Sequence, residues 1–201
     1  MCIIAVSKKG VRQPSLETLA ACFDNNPHGA GFMFARDGKV HIRKGFMAGD
    51  DFLDAVYHEH FGTDDAVVYH CRIATQGGRG KGMTHPFPLS PRLTDMGYLR
   101  TACSIGVAHN GVIALTADPR SQYSDTALFV ARYLPRIITG PADLRDHIAL
   151  DDIRETAGGR FALMDGSGYI ATTGDWIEAE DGLLFSNGTY VPRNYRWSWA
   201  M

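Results

Sequence analysis

The sequence predicts an α+β fold in which antiparallel β-sheets are covered by helices, and three observations carry that prediction. Strand-like and helix-like stretches come in clusters and do not alternate singly along the chain. Tight-turn signals such as Asp37-Gly38, Gly174-Asp175 and Asp181-Gly182 separate neighbouring strand patterns. The last quarter reads as a meander of short strands. A doubly wound parallel sheet needs a long crossover after every strand, which this pattern does not supply.

The first apolar run, residues 3–6, predicts a short buried strand that begins beside Cys2. A helix is expected over residues 15–23, opened by Ser15 after Pro14. Residues 31–35 and 39–44 flank Arg36-Asp37-Gly38 and predict an antiparallel hairpin, because glycine accepts positive φ at little cost. A second helix is expected from Asp50 as N-cap, with Phe52, Leu53, Val56 and Tyr57 at helical spacing. Residues 66–74 predict a strand in which Val68, His70, Arg72 and Ala74 share one face and Val67, Tyr69, Cys71 and Ile73 the other. A glycine-rich stretch, 76–82, leads to Thr84-His85-Pro86-Phe87, and a further strand ends in Val107-Ala108-His109-Asn110-Gly111. Ser124 is expected to cap a helix with Asp125 in its first turn and Leu128, Phe129, Ala131 and Leu134 inward. A helical stretch over 144–154 precedes short strands at 160–164, 169–173, 176–178 and 183–186.

Length and composition bound what this fold can do. A chain of 201 residues with 45% hydrophobic and 21% charged side chains suits one globular domain spanning 1–201. With 20 basic against 22 acidic side chains there is no cationic excess for gripping a nucleic acid or an anionic membrane. The apolar run after Cys2 is too short for a signal peptide and no later stretch would span a bilayer, so a cytoplasmic protein is expected. Cys2, Cys22, Cys71 and Cys103 form no C-x-x-C pair and read as four free thiols. His28, His70, His85 and His109 lack the short spacings of a local metal site, so no metal or other cofactor is expected. The glycine-rich stretch fails the P-loop pattern, since Gly80-Lys81 is followed by Gly82 and Thr75 stands where the pattern needs its first glycine. It reads either as a lid that closes over a substrate or as an ordinary surface loop.

Cys2 taken alone is a small apolar residue opening a strand. If Met1 is removed, its α-amine, with a reference pKa of roughly 7.7 to 8.0, can serve as base for its own thiol. Asn110-Gly111 offers a side-chain amide and an unobstructed backbone N–H for an oxyanion, or simply a turn. Arg72 can pair a carboxylate and Asp125 an ammonium, which together suit an amino-acid head group.

The set Cys2, His70-Cys71-Arg72-Ile73-Ala74-Thr75, Thr84-His85-Pro86, His109-Asn110-Gly111 and Ser124-Asp125-Thr126 resembles, in order and spacing, the class II glutamine amidotransferases of the N-terminal-nucleophile hydrolases. Gly29-Ala30-Gly31-Phe32 and Gly159-Arg160-Phe161-Ala162-Leu163 extend the resemblance over nearly the whole chain. It implies a four-layer αββα sandwich of two mostly antiparallel sheets. It further implies that Cys2 attacks the side-chain amide of glutamine, that Asn110 and Gly111 hold the oxyanion, and that Arg72 with Thr75 holds the glutamine carboxylate. Asp125 would then hold the ammonium group, and His85 would belong to the segment closing over the substrate. Where large biosynthetic members carry an Arg-Gly motif, this chain has Asn25-Asn26-Pro27-His28-Gly29, closer to short stand-alone relatives. The sequence ends soon after the glutaminase-like portion, so a separate ammonia-accepting synthetase or transferase is the expected partner. Two other readings stay open: an amidohydrolase acting on another small amide, and a catalytically silent binding module whose aromatic and arginine-rich tail, 190–199, forms an interface.

Overall fold

The computed structural model describes residues 2–74, 80–115, 121–179 and 181–192. They form an α+β protein with four α-helices and two antiparallel sheets, of seven and four strands. In chain order these are β1 (Ile3–Ser7), α1 (Leu16–Asn25), β2 (Ala30–Arg36), β3 (Lys39–Phe46), α2 (Gly49–Tyr57), β4 (Val67–Cys71) and β5 (Phe87–Pro88). There follow β6 (Arg100–Cys103), β7 (Ile105–Asn110), α3 (Asp125–Arg132), α4 (His147–Ala157), β8 (Arg160–Asp165), β9 (Ile170–Thr173), β10 (Ile177–Glu178) and β11 (Leu184–Phe185). The larger sheet has the order β10-β11-β1-β4-β2-β3-β6 and the smaller β5-β7-β8-β9.

Local chemistry explains most boundaries. Ser15 Oγ accepts from the Thr18 N–H at 3.1 Å and opens α1, and Ser124 Oγ accepts from the Ala127 N–H at 3.2 Å and opens α3. Asp37 and Gly38 both take positive φ, 52° and 71°, the paired left-handed geometry of a two-residue hairpin between β2 and β3. Helix α2 begins one residue before the expected cap: Ala48 takes the N-cap position with no side-chain hydrogen bond, and Asp50 and Asp51 lie in the first turn, where carboxylates favour the helix dipole. Helix α4 starts later than expected, because residues 141–145 form a separate 3-10 turn and Asp146 supplies the cap, accepting from the Ile148 N–H at 2.9 Å. Leu134 is buried as expected but in a 3-10 turn after α3.

Two departures concern the sheets. Strand β4 ends at Cys71 and not at Ala74, because its neighbour β1 starts at Ile3, paired with Cys71, and its other neighbour β2 starts at Ala30, also opposite Cys71. Arg72 to Ala74 therefore have no strand beside them and leave the pleat. Strand β6 was not anticipated; it is an edge strand beside β3 with alternating exposure and no continuous apolar run to mark it.

The central strands are buried on both sides. From β1, Ile3 and Ala5 join a cluster with Leu19 and Phe23 of α1 and Phe52 and Val56 of α2, while Ile4 and Val6 join Met33, Ile42, Ala108, Ala162 and Met164. That second cluster draws on both sheets. A third gathers Val107, Phe161 and Leu163 with Phe129 and Val130 of α3 and Ile153 of α4. Each large side chain so buried contributes roughly 1.5–3 kcal/mol. Among the described residues no helix is long and apolar enough to cross a membrane.

Candidate functional site

The residue before β1, the two residues after β4, the approach to β5, the end of β7 and the start of α3 converge. A narrow cleft between them is lined by Cys2, Arg72, Ile73, His85, His109, Gly111, Ser124, Asp125 and Thr126. Sequence neighbours would never meet this way; antiparallel pairing of β1 with β4 sets Cys2 beside residues 72 and 73. Of the expected site residues, Cys2, Arg72, His85, Gly111 and Asp125 line the cleft, Asn110 is buried beside Gly111 and is not part of the lining, and Thr75 is outside the described residues. Most of the glycine-rich stretch, 75–79, and the tail from 193 onward are also outside them.

The Cys2 thiol is half-buried. Its Sγ accepts from the Ile73 N–H at 3.3 Å and lies 3.4 Å from the Ile73 carbonyl, to which an S–H donates. Burial raises the thiol above its ordinary value, partly offset by the Ile73 backbone and by the positive charge of Arg72. Asn187 Nδ2 donates to the Cys2 carbonyl at 2.6 Å. Arg72 is 4% exposed, and its backbone is clamped to the loop before β2: its N–H donates to Gly29 O at 2.8 Å and its carbonyl accepts from the His28 N–H at 2.9 Å. His28 Nδ1 also accepts from the Ala74 N–H at 3.0 Å. Residues 27–29 thus shape the segment carrying Arg72. Gly31, one step further, passes so close to the His85 carbonyl and Lys44 that a Cβ would collide with both.

Asp125 is nearly buried, and both its oxygens are occupied by backbone donors: Oδ2 accepts from the Ile113 N–H and Oδ1 from the Thr126 N–H, each at 2.8 Å. These bonds and the start of α3 fix the carboxylate in the cleft wall. The cleft thus carries a thiol, a guanidinium and a carboxylate on separate segments.

Three buried imidazoles back this arrangement. His70 Nε2 lies 3.2 Å from the His109 carbonyl and 2.7 Å from His85 Nδ1, so one hydrogen shared between the two rings links them. His109 Nδ1 lies 3.0 Å from Thr126 Oγ1, and the ring stacks on Phe161. Burial pushes His70 down to about 3 and His109 down to about 4, the latter partly offset by Asp125; it also lowers His85 well below the usual histidine range. These rings stay neutral at pH 7. In each case the folded value lies below the unfolded one, so stability is intact above about pH 6.5 and is lost as pH falls through the folded values. Each ring contributes up to about 1.4 kcal/mol per pH unit in that window. Urea titrations should show a lower midpoint at pH 4.5 than at pH 7; an unchanged midpoint would rule out neutral burial.

Two residues that sequence reasoning passed over prove central. Ser186 is expected only as the last residue of a strand over 183–186, and Asn187 is not singled out. Ser186 Oγ accepts from the Ile4 N–H and from Asn110 Nδ2, both at 2.8 Å. Asn187 Oδ1 accepts from the Thr189 N–H and hydroxyl, and Thr189 Oγ1 accepts from Asn26 Nδ2, which links Cys2 back to the end of α1. Two adjacent small polar residues just beyond an apolar strand were the available signal. Among the described residues no group of three or more His, Cys, Asp or Glu is placed to hold a metal ion.

No protein-family model matches this chain, and no curated protein matches it. Function is therefore read from the chemistry of the cleft.

Proposed function

We propose that this protein hydrolyses the side-chain amide of glutamine, using Cys2 as an N-terminal nucleophile once Met1 has been removed, and passes the ammonia to an acceptor enzyme. The observation that carries the proposal is the convergence of Cys2, Arg72, Gly111 and Asp125, distant in sequence, on one cleft. Arg72 pairs the substrate α-carboxylate and Asp125 the α-ammonium, which leaves the amide carbon facing Sγ. The Cys2 α-amine takes the thiol proton as sulfur bonds to the amide carbon, and the oxyanion is held by the Gly111 N–H and the Asn110 side chain. The amine returns that proton to nitrogen as the C–N bond breaks and ammonia leaves. Water, deprotonated by the same amine, then cleaves the thioester to glutamate and regenerates the thiol.

A four-layer αββα sandwich is the arrangement proposed with this activity. Its support is the core composition: one cluster of both sheets, one of the larger sheet with α1 and α2, and one of the smaller sheet with α3 and α4. The test is direct. Protein shown by intact mass to begin at Cys2 should release glutamate from glutamine and be labelled at Cys2 by diazo-norleucine. No release, alone or with candidate acceptors, together with no labelling, removes the proposal.

A further inference from the structure

We infer that Ser186 is a positioning residue that holds the Asn110 side-chain amide in the orientation from which its second N–H can face a reacting oxygen; this rests on the amide-hydrolysis reading. Asn110 ends β7 and is 1% exposed, so its amide is shielded from water. One N–H of Nδ2 is bound to Ser186 Oγ at 2.8 Å, while Oδ1 is buried with no hydrogen-bond partner. Ser186 is itself immobilised twice on β1: its N–H donates to Ile4 O at 2.9 Å and its Oγ accepts from the Ile4 N–H at 2.8 Å. The Oγ therefore cannot swing away when the amide turns.

A primary amide is planar, so fixing one N–H also fixes the direction of the other. No other hydrogen bond among the described residues holds this amide, since Oδ1 has no partner. Without the Ser186 hydroxyl the side chain is free to turn about its Cα–Cβ and Cβ–Cγ bonds, and the second N–H no longer keeps one direction. Ser186 thus acts on the reaction only through Asn110, from the segment after β11 that also places Asn187 on the Cys2 carbonyl.

A double-mutant cycle reads this directly. Ser186→Ala should lower kcat for glutamine about 10- to 100-fold, less than or equal to loss of an oxyanion donor, with KM within about threefold. On an Asn110→Ala background the same change should lower kcat no further, because the group it positions is absent. Wild-type kcat in Ser186→Ala, or a full additional loss in the double variant, overturns the inference. Proton exchange of the Asn110 side-chain NH2, followed by NMR, separates this from the activity. At least tenfold slower exchange in wild type than in Ser186→Ala supports the clamp even if glutamine is not hydrolysed, and equal exchange refutes it.

Discussion

Replacing Cys2 with alanine should reduce glutamate release from glutamine by roughly 10⁴-fold or more, the scale seen when a nucleophile is removed from a catalytic unit that acts as a whole. The loss should appear in kcat. Glutamine should still bind, because Arg72, just after β4, and Asp125, at the start of α3, are held by other contacts than the thiol. The fold should also hold, since the Cys2 side chain is half-buried and its two sulfur contacts are both with the Ile73 backbone. A coupled glutamate assay alongside thermal unfolding checks both halves. Residual activity above about a hundredth of wild type would mean that another group attacks the amide.

Arg72→Ala should act on the other side of the ledger, raising KM for glutamine about 10- to 100-fold, as expected for a charge-assisted pair of roughly 1.5–3 kcal/mol. A second, independent sign comes from the thiol. The Arg72 charge lowers the Cys2 titration that burial raises, so its removal should shift the pH profile of Cys2 alkylation upward. Glutamine use unaltered by Arg72→Ala would remove the carboxylate clamp and favour a different small amide. An Arg72→Lys variant that keeps the charge should restore the alkylation profile more fully than the KM, because an ammonium lacks the two-pronged fit of guanidinium to carboxylate.

Much of the fold was legible because its signals are local. Ser15, Ser124 and Asp37-Gly38 act within three residues of themselves, and each does what the sequence predicts. The errors share a cause. Strand β4 was read three residues too long because alternation continues past Cys71, whereas a strand ends where its neighbours end. For the same reason the pleat does not fix the direction of Arg72. At the site, Cys2, Arg72, Gly111 and Asp125 were nameable from residue type and order, but Ser186 and Asn187 were not. Their roles arise from pairings with Ile4 and Cys2 across 182 and 185 residues, which no window on the sequence contains. The segment 25–29 gains its meaning similarly, through Thr189 and the Arg72 backbone.

The place of β1 in the larger sheet, between β4 and β11, has a consequence for how the protein is made. A ribosome delivers the strand beside Cys2 long before one of its two flanking strands, since Ile4 and its partner Ser186 are 182 residues apart. Until residues 184–189 emerge, the Cys2 carbonyl, the Ile4 amide and the Asn110 side chain all lack the partners that hold them. Contacts between sequence-distant strands are also the slowest to form. A nascent or truncated chain thus carries every lining group of the cleft without the hydrogen bonds that Ser186 and Asn187 supply, and the proposed chemistry would await the finished sheet.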